Sequence, residues 1–392
     1  MRRGLGVVLA VTAVTMAVGW LVKSPCLGSW SDGRQYNRLC YSDVAALYAS
    51  EDRDRGLDEG RVPYVDGENE YPVLTGVAMW VAALPATSYA SFFNWTALLL
   101  TALALVTAAV IHRMVGLRAL YFAAAPTLAI YGLMNWDLVA VALATLATAA
   151  FLRDRDIASG GLLGTGAAAK LYPALFTIPF ALDRYRAGRR DEGGRLLVAA
   201  VVAWVAVNLP FAILGFDRWS EFFRFNGARG ADWDSLWYLA ARRLGFTWDA
   251  PLLNILTATT LILLAVVVWR LRENRDPRFP AWTFAFPLLV LFLLTGKVYS
   301  PQYGVWLLPW FALTLPDLRL FAAFQLADAA VFVTRFQFFA RYGDLGTGLP
   351  FWSFEVAILI RAAILVACVV AWIRGHQPLP DEPVPAPSTE TA

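Results

Sequence analysis

Histidine is almost missing from this chain: 392 residues contain two, His112 and His376, beside three cysteines. Charge is thin as well, at 16% Asp, Glu, Lys and Arg against 58% hydrophobic residues, where soluble domains carry about a quarter charged residues. That scarcity, with a mean hydropathy of +0.53, excludes a set of soluble domains. Both histidines fall on the cytoplasmic side of the topology given below. A histidine-built metal site or a Ser-His-Asp arrangement on the outer side is therefore excluded. A nucleotide-type phosphate loop is missing too. The nearest pattern, GGLLGTGAAAK at 160–170, lacks the G-K-[ST] ending and lies within an apolar run. No internal repeat of the kind found in paired transporter halves is visible, and no nucleic-acid partner is expected.

What the chain has instead is apolar runs, recurring from Gly4 almost to Ile373. They are too long and continuous for barrel strands, so the expected fold is all-α, a polytopic transmembrane bundle. Spans are expected at 4–22, 92–111, 119–133, 136–152, 196–214, 252–271, 281–295, 302–316, 318–334 and 353–373. Arg2 and Arg3 precede the first run, and VKSPCLGSW after it offers no small-residue cleavage site, which reads as an uncleaved signal anchor. Two further pieces, 72–86 and 160–182, the latter interrupted by Lys170 and Pro173, fit as segments that enter and leave on one side. The second also fits as two thin crossings meeting at Lys170. Arg113, Arg118, Arg153, Arg155, the 184–195 arginines, the 270–278 arginines and Arg374 then all become cytoplasmic, as the positive-inside rule asks. The expectation is one transmembrane domain, 1–376, in the plasma membrane with both termini cytoplasmic, followed by a disordered Pro-rich tail, 377–392.

The outer face receives the loops 23–71, 134–137, 215–250, 296–303 and 335–350. Most acids of the first loop read as solvated charge, but Asp43 keeps different company. Tyr41, Val44, Leu47 and Tyr48 surround it at helical spacing, which predicts an amphipathic helix on the membrane surface carrying a carboxylate placed for general-base work. Ser42 or Asp43 is equally suited to be simply that helix's N-cap. Cys26 and Cys40 share this loop, and a disulfide between them, permitted in an outer compartment, would contribute about 3 kcal/mol.

Glu70 and Tyr71 stand where the chain re-enters lipid, suited either to a sugar or to the interface itself. Asn135 and Asp137 sit at a mouth between two spans, as sugar ligands or as caps of the next helix. In GKVYSPQY, Ser300 and Pro301 make a helix start, leaving Lys297, Tyr299, Gln302 and Tyr303. A cation beside hydrogen-bonding groups at the membrane surface suits a lipid-linked phosphate, to which Arg335 and Arg341 add charge. Lys170 at membrane depth either serves the site or snorkels to the cytoplasmic headgroups. Asp328 and Arg361, also within spans, are expected to pair with each other.

CYSDVAALY, EYPVLTG, MNWDLVAVAL, GAAAKLYPALF and KVYSPQYGVWLLPW, in that order, resemble the actinobacterial membrane mannosyltransferases of glycosyltransferase family 87. The resemblance implies a GT-C fold with an outer active site and a polyprenyl-phosphate sugar, usually mannose, as donor. It implies an aspartate base early in the first outer loop, which Asp43 matches, whereas SDVAALY spaces Tyr48 differently from the family pattern. The expected chemistry is transfer with inversion to a cell-envelope glycolipid or glycan acceptor, the base at Asp43 and the donor phosphate met by Lys297, Lys170 and Arg335. Glu70, Tyr71, Asn135, Asp137, Tyr299, Gln302 and Tyr303 are the expected sugar or acceptor ligands, and no metal or cofactor is required for a monophosphate donor met by fixed cations. The competing reading is a lipid or solute transporter, with Lys170, Asp328 and Arg361 lining one pathway.

Overall fold

The computed structural model describes residues 2–28, 33–48, 56–343 and 345–375. The tail expected at 377–392 and the acids and bases at 51–55 lie outside the described residues. Among those described there is no strand; the chain is a bundle of helices. Helix α1 (Arg2–Lys23) leads through two short turns, α2 (Arg34–Asn37) and α3 (Asp43–Ala46), to α4 (Val73–Ala83) and the long α5 (Tyr89–Val115). Then come α6 (Leu120–Ala123), α7 (Pro126–Tyr131), α8 (Asp137–Phe151), α9 (Asp156–Ala167) and α10 (Thr177–Arg186). The second half holds α11 (Arg190–Leu214), α12 (Phe216–Ala228), α13 (Leu236–Leu244), α14 (Ala250–Arg275), α15 (Ala285–Thr295), α16 (Gly304–Thr314), α17 (Leu318–Tyr342) and α18 (Phe351–Ile373).

Among the described residues five stretches are long and apolar enough to cross a membrane: Gly4–Cys26, Tyr89–Ala123, Arg190–Leu214, Ala250–Arg275 and Phe351–Ile373. On α11 and α14 large apolar side chains such as Val201, Ile213, Ile255 and Ile262 stand exposed, an outer surface suited to lipid. Local chemistry sets the starts. Ser88 and Ser91 form a reciprocal capping box on α5, and Asp249 with Pro251 opens α14. The span expected at 119–133 is broken, because Pro126 lacks an N–H and holds Ala125 extended, separating α6 from α7.

The piece at 160–182 is a helical hairpin with Lys170 at its turn. Its two arms, α9 and α10, close on themselves where Arg184 of α10 bonds Asp156 (2.8 Å) and the Phe151 carbonyl (2.7 Å). Gly160 and Gly164 let α9 lie directly on α11: a Cβ at either would sit 2.0 Å from the carbonyl oxygen of Leu196 or Ala200. Glycines four apart make this close backbone approach possible in a bundle that lacks a hydrophobic drive between helices.

One expectation fails here. Tyr41 to Tyr48 is no amphipathic surface helix: α3 is a single turn, Val44 is fully buried and Tyr48 stacks on Phe92 (4.7 Å). Its apolar positions face the protein core rather than lipid, which periodicity alone does not distinguish.

Candidate active site

The disulfide Cys26–Cys40 is present, and it ties the end of α1 to the segment that carries Asp43. Buried Lys23 donates to the Tyr41 carbonyl (2.8 Å), Ser42 Oγ to the Leu133 carbonyl (2.8 Å) and the Asp43 amide to the Met134 carbonyl (2.8 Å). These anchors lay Asp43 beside the MNWD turn. Tyr41 Oη then donates to Asp43 Oδ1 (2.7 Å) and Asn135 Nδ2 to Oδ2 (2.8 Å), and Asn135 Nδ2 also donates to Tyr71 Oη (2.9 Å). Burial first, and the Asp43 carboxylate next, push the Tyr41 phenol well above its ordinary range, so it remains a donor. Each carboxylate oxygen has one partner and keeps a lone pair toward a cavity of about 680 Å³.

Lys170 faces the same cavity from the hairpin turn, held there by neighbouring backbone. Leu74 N–H donates to the Ala168 carbonyl (2.8 Å) and Thr75 Oγ1 to the Ala169 carbonyl (2.7 Å). Its ammonium lies 3.7 Å from Asp137 Oδ1 and 4.9 Å from the centre of the Tyr71 ring, so it points into the cavity rather than snorkelling to the cytoplasmic headgroups. Asp137 also accepts from Trp306 Nε1 (2.7 Å), and Trp306 is sandwiched between Tyr303 (4.0 Å) and Tyr172 (4.3 Å). Asp137 itself is 1% exposed and does not line the cavity; its contacts are to Lys170 and Trp306, which do.

Glu70, Tyr71, Asn135, Gln302, Tyr303, Lys170, Lys297 and Arg335 all line the cavity with Asp43. Tyr299 does not. Its ring lies 3.7 Å beneath the guanidinium of Arg361, on the far side of its loop. Lys297 is committed to the protein, donating to the carbonyls of Asn226 (2.7 Å) and Arg229 (2.6 Å). Arg335 pairs with Asp234 (2.8 Å). Arg361 pairs with Asp328 (3.1 Å) as expected, away from the cavity.

Sequence reasoning missed several cavity residues. Trp306 was hidden in an apolar run, and the loop 215–250 contributes Phe222, Phe225 and Arg229, for which the clustered charges of GARGADWD were the available signal. The assembled site has a carboxylate held at both oxygens, four basic side chains among the described residues, and aromatic walls. That set can take a proton from a hydroxyl, receive a phosphate and stack on a sugar face.

A family model described as glycosyltransferase family 87 matches residues 70–301, more than half of the chain. The matched stretch contains Glu70, Asn135, Lys170 and Lys297 but not Asp43 or Arg335. Among solved structures, the crystal structure of ArnT from Cupriavidus metallidurans bound to undecaprenyl phosphate is similar at a TM-score of 0.47 and 15% identity, over 94% of this chain and 77% of that one. No curated protein matches the sequence.

Proposed function

The chain belongs to glycosyltransferase family 87, and from that premise we propose that it moves a hexose, mannose by resemblance, from a polyprenyl-phosphate donor to an envelope glycolipid or glycan. The observation that carries this reading is the pairing, around one cavity, of a carboxylate oriented by Tyr41 and Asn135 with the basic side chains Lys170 and Arg335. The ArnT complex is with undecaprenyl phosphate, a lipid of the class proposed for this donor.

In the proposed reaction Asp43 takes the proton of an acceptor hydroxyl. The acceptor oxygen bonds to the anomeric carbon as the bond from that carbon to the phosphate oxygen breaks on the opposite face, so configuration inverts. The leaving polyprenyl phosphate gains one negative charge, and Lys170 and Arg335 stabilise it; removing one such contact costs about 10²- to 10³-fold. Fixed cations meet a monophosphate without a metal, and Glu70, Gln302 and Tyr303 are placed for sugar hydroxyls. The cavity is proposed to open on the extracytoplasmic face, because the arginine-rich turns lie at the other ends of the helices that carry it. A transporter pathway through Lys170, Asp328 and Arg361 finds no support, since Asp328 and Arg361 are paired and buried outside the cavity.

The test is transfer in vitro: purified protein in lipid, radiolabelled polyprenyl-phosphate mannose and a membrane-lipid acceptor extract, wild type beside Asp43→Asn. Transfer by wild type and its loss in the folded variant is the expected result. No transfer from any polyprenyl-phosphate sugar would sink the reading, and full activity of Asp43→Asn would sink the base.

A further inference from the structure

Among the described residues four basic side chains line the cavity, and they differ in how their charge is engaged. Lys170, with 11% of its side chain exposed, is set against Asp137, and Arg335, with 12%, is locked to Asp234. The ammonium of Lys297 is taken up by backbone carbonyls, two of them within 2.7 Å. Arg229 is more open than Lys170 or Arg335: a third of its side chain is exposed and its pairing with Asp232 is 3.3 Å long. A guanidinium offers five donors in a plane that matches two phosphate oxygens at once.

The surroundings of Arg229 are built to hold it at this spot. Lys297 Nζ donates to the Asn226 and Arg229 carbonyls and so clamps the last turn of α12. The Lys297 carbonyl in turn accepts from the Asp232 amide (2.8 Å), so the strap 226–232 is fastened at both ends to one residue. Asp232 Oδ2 lies 3.3 Å from Arg229 and 3.9 Å from Arg335, bridging the two guanidinium groups. Beside them Phe222 and Phe225 of α12, Leu261 of α14 and Phe292 of α15 give the cavity an apolar wall, as an isoprenoid chain leaving a phosphate would need.

We propose that Arg229 is a catalytic residue that grips the donor phosphate together with Arg335, and that Lys297 is its positioning residue rather than a phosphate ligand. This rests on the glycosyltransferase reading above. When the phosphate arrives, it takes the place of Asp232 on Arg229 while Arg335 keeps Asp234. When polyprenyl phosphate leaves, Asp232 recaptures Arg229, so the empty site never holds an uncompensated buried charge.

The experiment is donor kinetics and undecaprenyl-phosphate inhibition for wild type, Arg229→Ala, Arg229→Lys, Lys297→Met and the double variant Arg229→Ala/Lys297→Met, with uncharged undecaprenol as the lipid control. Arg229→Ala is expected to lower kcat/KM for the donor about 10²-fold and to weaken inhibition by undecaprenyl phosphate, with undecaprenol unaffected. Arg229→Lys, which keeps the charge and is the safer variant for folding, should recover part of this, since it loses only the planar fork. Lys297→Met should mimic Arg229→Ala, and the double variant should be no worse than either. Wild-type donor kinetics and inhibition in Arg229→Ala would overturn the assignment. Additive losses in the double variant would make Lys297 a direct phosphate contact and overturn the positioning role. If wild type neither transfers sugar nor binds undecaprenyl phosphate, the underlying reading fails instead, which these outcomes keep separate.

Discussion

Asn135 donates to Asp43 Oδ2 at 2.8 Å across 92 residues of sequence, and the same amide nitrogen donates to Tyr71 at 2.9 Å. One side-chain amide thus joins three segments that the chain keeps apart. It fixes the carboxylate from one side while Tyr41 fixes it from the other.

Removing that amide should misplace the base without removing it. Asn135→Ala is expected to lower kcat about 10²-fold with a small change in donor KM, a smaller loss than for Asp43→Asn, where the general base itself is gone. Steady-state kinetics on the two variants checks this; equal kcat for Asn135→Ala and wild type would contradict it.

Lys170 and Asp137 should behave as a unit. Lys170→Met is expected to cost about 10²-fold in kcat/KM for the donor. Asp137→Asn should fall between Lys170→Met and wild type, because the Trp306 bond can persist to an amide oxygen while the charge that draws Lys170 is lost. Combining the two substitutions should add little to Lys170→Met alone.

The hairpin that presents Lys170 depends on the contact of Gly164 with α11. Gly164→Ala would put a Cβ 2.0 Å from the Ala200 carbonyl oxygen, so α9 must move off its neighbour. A loss of about 1–3 kcal/mol is expected from such overpacking, read as a lower Tm in detergent. Gly161→Ala, on the open side of the same helix with no neighbour within 4 Å, is the control and should not lower Tm.

Asp234 should leave a pH signature on stability. Burial is the largest influence and outweighs the opposing pull of Arg335, pushing this carboxyl up to about 6. Between its unfolded value near 4 and about 6 the folded protein holds a proton that the unfolded chain has released, so stability falls as pH rises through that window. Tm measured from pH 4 to 7 should decline more steeply for wild type than for Asp234→Asn; parallel curves would contradict the prediction.

Much of the bundle was legible in sequence because lipid imposes a simple rule, that long apolar runs must be helices with their backbone groups satisfied internally. The Cys26–Cys40 bond and the Asp328–Arg361 pair were equally legible, the first from a shared loop and the second from the cost of lone charges within spans. The short helices resisted reading. Pro126 splits what hydropathy presents as one span, while for the 160–182 run the sequence left open a one-sided piece or two thin crossings, and packing of α9 on α8 and α11, with Arg184 bonded to Asp156, decides for a hairpin.

By itself, then, the sequence determined that this is a helical membrane protein of glycosyltransferase family 87 with its distinctive polar residues in a few connecting segments. Tertiary structure decided which of those residues meet. Tyr299 and Lys297 stand two apart in one loop, yet one turns under Arg361 and the other clamps the carbonyls of α12, while Arg229, from a loop the motifs did not mark, faces the cavity. The reason is geometric: hydropathy reports how deep a residue lies, but the direction in which its side chain points is set by helix packing and by hydrogen bonds to segments far away in the chain.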